Sequence, residues 1–156
     1  MTTGKTSQTF TMQKTVAFGD CDPGGIVHTP RVFDYCMDAI DQFWKTLLDG
    51  KGFYELVVDH DRRTPFVNVN MNFISPITPR EVLEITVSLA KVGRTSVTFE
   101  VAAAQSGRAC FKGTLSSVLV ERETMTKVAE DDWTIASVRA FNEGSQSGGK
   151  PDPDRA

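Results

Sequence analysis

Apolar and polar residues alternate with period two along most of this chain, and one stretch near its start breaks into a helical rhythm instead. Over residues 9–18, Phe10, Met12, Val16 and Phe18 share one parity with Lys14 as a polar interruption, which predicts a strand. Over residues 30–49 the apolar positions Phe33, Met37, Ile40, Trp44 and Leu47 follow a helical period, and Val32, Cys36, Ala39 and Phe43 widen that face. The pattern predicts a long, mostly buried helix. Asp34, Asp38, Asp41, Gln42 and Lys45 form its polar side, with Asp41 and Lys45 in the favourable order for an ion pair. Thr29 is expected as the N-cap with Pro30 at the first helical position, and Gly50 and Gly52 end the segment. Residues 53–58 read as a short second helix.

Period two then returns. Strands are predicted over residues 66–75, 82–92, 95–104 and 108–121, separated by turn signals at Gly93-Arg94 and Ser106-Gly107. In the first of these, Val67, Val69, Met71 and Phe73 face one way and Asn68, Asn70 and Asn72 the other. A short strand at 127–129 and a short helix at 135–141 complete the order. Residues 1–8 are expected to fray, and residues 143–156, dominated by Gly, Ser, Pro, Lys and Asp, to form a disordered tail after a single domain spanning 1–142. A strand, a long helix and a run of antiparallel strands make an α+β domain, with one antiparallel sheet curled around one long central helix.

Composition narrows the function more than the fold. At 156 residues, 40% hydrophobic and 24% charged, the chain is ordinary for one globular domain with a proper core. A net charge of -3 without a basic block argues against nucleic acid as partner. No run approaches the length of a membrane span, and the polar N-terminal segment is not expected to be a signal peptide. Cys21, Cys36 and Cys110 are odd in number and widely spaced, so they read as free thiols in a reducing cytoplasm. With two histidines and no paired Cys spacing, no metal site is expected.

The chemistry concentrates in Phe18-Gly19-Asp20-Cys21-Asp22-Pro23-Gly24-Gly25-Ile26-Val27-His28-Thr29-Pro30. A helix N-terminus offers free N–H groups and about half a positive charge, which suits a carbonyl becoming an oxyanion. A carboxylate beside it can serve as base or nucleophile. Asp22 precedes Pro and equally suits a turn opener. Asp20 is the rival acid, because two carboxylates two apart can share a site and repel. Gly24 and Gly25 are either plain loop or a path for substrate to reach the backbone. His28 is a pocket wall, a hydrogen-bonding group or a catalyst.

That loop, followed by Pro30 and an aromatic-rich helix, resembles the 4-hydroxybenzoyl-CoA thioesterase family of the hot-dog fold. The similarity is specific over about the first 45 residues, and the strand order fits more loosely to about Val128. The resemblance implies that Asp22 attacks a CoA thioester or activates water, that the backbone N–H around Thr29 polarises the thioester carbonyl, and that Asp20 is a supporting group. Some relatives carry His at the position of Thr29, whereas here the nearby histidine is His28, about 100 degrees away around a helix start. By the same resemblance Thr64 and Asn68, in the strand bordering the acyl site, are substrate-binding candidates, and Lys91 and Arg94 are candidates for the CoA phosphates, which favour Arg. Lys112, Arg122 and Lys127 are further basic candidates. The implied activity is acyl-CoA thioester hydrolysis, with an aromatic acyl group such as hydroxybenzoyl, no cofactor, and a homodimer or a homotetramer built as a dimer of dimers. The alternatives are a hot-dog protein that senses acyl-CoA without hydrolysing it, a hot-dog dehydratase, whose Asp and His motif is absent, and a plain interaction module.

Overall fold

The computed structural model describes residues 8–144. Its strands are β1 (Thr9–Lys14), β2 (Arg62–Arg63), β3 (Phe66–Phe73), β4 (Leu83–Val92), β5 (Ser96–Gln105), β6 (Arg108–Val118) and β7 (Val120–Glu121). Its helices are α1 (Thr29–Leu47), α2 (Phe53–Val58) and α3 (Trp133–Asn142). Five strands form one antiparallel sheet in the order β1-β4-β5-β6-β3, and β2 pairs with β7 apart from it. The expected hot-dog arrangement is therefore present, with α1 packed on one face of the sheet. From position 145 onward the expected tail lies outside the described residues, as do residues 1–7 of the expected frayed start.

The alternation read from the sequence is the alternation of burial. Leu83, Ile85, Val87 and Leu89 of β4 and Val97, Phe99 and Val101 of β5 point into the core. The Phe43 ring of α1 stacks on Phe10 of β1 and meets Phe99 edge-on, and Trp44 meets Phe99 likewise. Each such side chain contributes roughly 1.5–3 kcal/mol by leaving water. The helix ends where glycine was expected to end it. Gly50, at φ 87, turns its N–H back to the Lys45 carbonyl. Gly52 is needed for another reason: a Cβ there would lie 2.3 Å from the Asp41 Oδ1 that accepts the Phe53 N–H.

Four expectations are corrected. The deepest face of α1 is Val32, Tyr35, Cys36, Ala39, Ile40, Phe43 and Trp44, while Phe33, Met37 and Leu47 are half-buried. Tyr35 was not expected inside, and its hydroxyl is carried in by a polar partner described below. On β3, Val67, Val69 and Phe73 are exposed, because β3 is the outer strand beside β6 and α1 packs over β1, β4 and β5 instead. The strand expected over 108–121 breaks at Leu119 and its end changes partner. Pro65, which accepts the Val118 N–H, has none of its own to continue the β3 ladder. Last, the α1 N-cap is His28, not Thr29. Thr29 is the first helical residue and Pro30 the second. A proline suits either of the first positions, whose N–H groups lack helical partners anyway, so its presence does not decide between them.

Candidate active site

Between β1 and α1 the chain folds back on itself. Residues Phe18–Asp20 make one 3-10 turn, Cys21 bridges Val27, and the Asp22 N–H donates to the Ile26 carbonyl at 2.9 Å. The Gly25 N–H returns to the Asp22 carbonyl at 3.0 Å. Gly25 sits at φ 80, in the left-handed region that glycine enters without a Cβ clash. The Gly24 N–H donates to Asp22 Oδ1 at 2.8 Å, and a Cβ on Gly24 would lie 3.0 Å from that same oxygen. Both glycines thus serve the turn that holds the acid. Asp22 is half-buried, and its Oδ2 has no partner among the described residues.

Asp20 is arranged differently. Its Oδ2 accepts the Tyr35 hydroxyl at 2.6 Å, and its Oδ1 lies 3.8 Å from Arg31 Nε. Its carbonyl accepts the His28 N–H at 2.8 Å. The Tyr35 hydrogen bond, helped by Arg31 and Lys14 against partial burial, holds its carboxyl below the usual aspartate range. Burial and that same carboxylate push the Tyr35 phenol well above its ordinary value. Asp20 is therefore a fixed anion occupied by the fold, and Asp22 is the acid with an unused oxygen.

The start of α1 is open. His28 has an extended backbone and its side chain makes no capping bond. Of the first three helical residues, Pro30 has no N–H and the Arg31 N–H goes to the His28 carbonyl, which leaves the Thr29 N–H as donor. Val27, next to this end, donates its N–H to the Ile77 carbonyl, so the turn is also tied to the segment between β3 and β4. Gln105 secures that segment. It is fully buried, accepts the Thr78 N–H, and donates to the carbonyls of Thr78 and Glu81.

Asp22, Gly24, Gly25, His28 and Thr29 thus form one neighbourhood. The other sequence candidates do not join it. Strand register puts the loop at the end of the sheet where Lys14 pairs with Leu83, Leu83 with Gln105 and Phe73 with Phe111. Thr64 and Asn68 sit at the opposite end, where Phe66 pairs with Ser117, and Lys91 and Arg94 flank the β4–β5 turn there. The two ends are roughly 30 Å apart along the ten residues of β5, at about 3.3 Å each. Arg94 is exposed and pairs with Glu130 at 3.3 Å.

Two features escaped the sequence. One is the Tyr35 partnership with Asp20, which nothing in an apolar period announces. The other is a clamp in which Arg62 of β2 donates to Asp132 from Nη2 at 2.7 Å and Nε at 3.0 Å, and to Glu121 at 3.0 Å. Arg62 and Asp132 are seventy residues apart in sequence, so no local pattern joins them. Cys21, Cys36 and Cys110 are free thiols, as expected; Cys36 and Cys110 are buried, and burial pushes the Cys36 thiol up to about 12. Among the described residues no group of His, Cys, Asp and Glu is placed to hold a metal, and no helix is long and apolar enough to cross a membrane.

Comparison with known families matches residues 16–138 to the thioesterase-like superfamily. Among solved structures, a thioesterase superfamily protein from Jannaschia sp. CCS1 is 31% identical, with TM-score 0.79, over 92% of this chain and 97% of that one. A 1,4-dihydroxy-2-naphthoyl-CoA thioesterase from Synechocystis is 14% identical, with TM-score 0.73, over 92% of this chain and 100% of its own. A 4-hydroxybenzoyl CoA thioesterase mutant, with one Asp replaced by Asn and 4-hydroxybenzoyl CoA bound, is 22% identical, with TM-score 0.70, over 83% of this chain and 97% of its own.

Proposed function

The chain belongs to the thioesterase-like superfamily, and from that premise we propose that it hydrolyses an acyl-CoA thioester to the free acid and CoA. The observation that carries this reading is the pairing of an acid, Asp22, and a helix start, whose Oδ2 and Thr29 N–H respectively have no partner among the described residues. The thioester carbonyl oxygen is received by that N–H. Negative charge growing on the oxygen is stabilised by the donor and the helix dipole. Asp22 acts on the carbonyl carbon, as nucleophile or as base to the attacking water. The C–S bond breaks, CoA leaves as thiolate and takes a proton, and water supplies the second oxygen of the acid.

The acyl group we assign is aromatic. Phe33, one turn into α1, meets Phe73 edge-on at 6.5 Å beside the Asp22 end, and both rings keep exposed surface for a third aromatic group. Two of the similar structures bear the names of aryl-CoA thioesterases. The CoA contacts come from a second copy. β3 is an outer strand with exposed Val67 and Val69, a surface that invites pairing with another strand. Two-fold pairing of strand edges runs antiparallel. It carries the Thr64, Asn68, Lys91 and Arg94 end of one copy toward the Asp22 end of the other. This reading makes a dimer the smallest active unit and a dimer of dimers compatible with it.

The test is free-thiol release from aromatic, short-chain and long-chain acyl-CoAs by the wild type and by Asp22→Asn, with sedimentation velocity on both. Aromatic substrates should turn over fastest, and the variant should lose about 10²–10⁴-fold in kcat while staying folded and oligomeric. Near-normal hydrolysis by the variant removes Asp22 from the mechanism. Tight binding without turnover by the wild type favours the sensor alternative. A monomer that hydrolyses normally removes the second copy from the site.

A further inference from the structure

Asp20 hydrogen-bonds α1 at two points seven residues apart, about two helical turns, with the longer Arg31 ion pair between them. Its carbonyl takes the His28 N–H at 2.8 Å, and its carboxylate takes the Tyr35 hydroxyl at 2.6 Å. One contact alone would leave the loop free to pivot about it. Two contacts at separate heights on the helix hold both the distance and the tilt of the chain at Asp20. Only Cys21, itself bridged to Val27, lies between Asp20 and Asp22. From Asp22 onward the turn is closed by the Ile26 carbonyl and the Gly24 and Gly25 N–H groups. The turn is thus closed on itself by hydrogen bonds. Its far end runs through Val27 and His28 into α1, with Val27 tied to the Ile77 carbonyl, and its near end is fastened to α1 through Asp20.

Tyr35 is an unusual residue to find where it is. It is 2% exposed and sits among Val32, Cys36 and Ala39, where an apolar ring would pack without a polar requirement. A buried hydroxyl costs free energy unless it finds a partner. The partner here is an anion, which gives a short, charge-assisted bond. The lowering of the Asp20 carboxyl agrees with a bond strong enough to orient that side chain.

We infer that the Tyr35–Asp20 hydrogen bond is a positioning device that sets Asp22 at a fixed height against the Thr29 N–H. The inference rests on the proposed role of Asp22 and deepens it. Neither Tyr35 nor Asp20 touches the reacting atoms; both act through the placement of Asp22. Small displacements of a reacting group are costly, up to about 10²-fold for roughly 1 Å.

The experiment is a double-mutant cycle read by steady-state kinetics and thermal melting on the purified protein with its best acyl-CoA. Tyr35→Phe removes one oxygen and keeps the ring. It should lower kcat about tenfold while KM stays within about twofold, as expected when the reaction and not the binding is misaligned. Asp20→Asn keeps an acceptor for the phenol and should lose less than Asp20→Ala. In the Asp22→Asn background, Tyr35→Phe should cost nothing further, because the group it positions is gone. Full kcat in Tyr35→Phe with a lowered melting temperature means a purely structural tyrosine and overturns the inference. An equal fractional loss in both backgrounds does so too, since Tyr35 then acts independently of Asp22. An Asp22→Asn variant that hydrolyses normally sinks the underlying mechanism instead. A crippled Asp22→Asn beside a fully active Tyr35→Phe sinks only the positioning role.

Discussion

The N-termini of α1 and α3 are built from similar parts and left in opposite states. At α3, Asp132 is the cap: its Oδ1 accepts the Thr134 N–H at 3.1 Å, and its Oδ2 takes two bonds from Arg62. At α1, the capping position is held by His28, which caps nothing with its side chain, and the carboxylate of Asp22 is held in the preceding turn. The α3 end is closed, with its acid only 8% exposed and both oxygens used. The α1 end is open, with a donor on the helix and an acceptor on the acid that have no partner among the described residues. A protein that can cap a helix this thoroughly and leaves another end uncapped forgoes about 1 kcal/mol there. The comparison separates an aspartate whose two oxygens are both spent on the fold from one with an oxygen to spare, the acid proposed for the chemistry.

The largest effects should come from exchanging amide for acid at the two ends. Asp22→Asn should lower thioester turnover about 10²–10⁴-fold with a nearly unchanged melting temperature. Asp132→Asn should do the reverse, losing about 1–3 kcal/mol because Arg62 gives up the more buried of its two anions and keeps only the more exposed Glu121, with folded protein still active. Parallel kinetics and denaturant melts on the two variants decide it, and matched losses in both columns would erase the distinction drawn between the two ends.

A pH dependence sharpens the contrast further. Burial pushes the Asp132 carboxyl up, but the Arg62 and Thr134 hydrogen bonds outweigh it and hold the group below the usual aspartate range. A carboxyl depressed in the folded state contributes stability that is fully present above the unfolded value near about 4. That contribution is lost as pH falls through the lower folded value. Melting temperatures taken from pH 7 down to about 2.5 should fall more steeply for the wild type than for Asp132→Asn. The smallest change closes the open end. His28→Asp supplies the missing cap and should add roughly 0.5–1 kcal/mol of stability while lowering kcat, because a new negative charge stands where the oxyanion forms. A variant both more stable and fully active would show that the open end is not used.

The periodic parts of the molecule were legible because they are local. Alternation over β4, β5 and β6 and the helical stripe of α1 are fixed by neighbours in sequence, and the short α2 was placed to the residue at Phe53–Val58. For the acid loop the residues left Asp20 and Asp22 as rivals, and it was the family resemblance that made Asp22 the candidate and Asp20 a supporting group; the Tyr35 and Arg31 contacts engage Asp20 in the fold. What stayed hidden was long-range. Arg62 finds Asp132 only after the sheet has formed, and the exposure of Val67 and Val69 depends on β3 lying at the sheet's edge. The α1 cap shifted by one residue because it is set by the His28 bond to the Asp20 carbonyl, a tertiary contact invisible to a propensity rule. The separation of Asp22 from Arg94 likewise follows from strand register, which a list of motifs does not contain.

The strand order has a kinetic consequence. Neighbours in the meander β4-β5-β6 are joined by tight turns, as where Gln105 pairs with Arg108. The outer strands close long loops, β1 where Thr9 pairs with Ser88 and β3 where Phe66 pairs with Ser117. Long loops cost more entropy before their contacts repay it, so the meander is expected to assemble first and the outer strands to dock onto it. The acid loop hangs from β1, and the proposed partner surface is β3. Pulse-labelled amide exchange during refolding should protect β5 before β1 and β3; simultaneous protection would contradict this order. The parts of the molecule proposed to meet the substrate are then the last to arrive, mounted on a centre that is already folded.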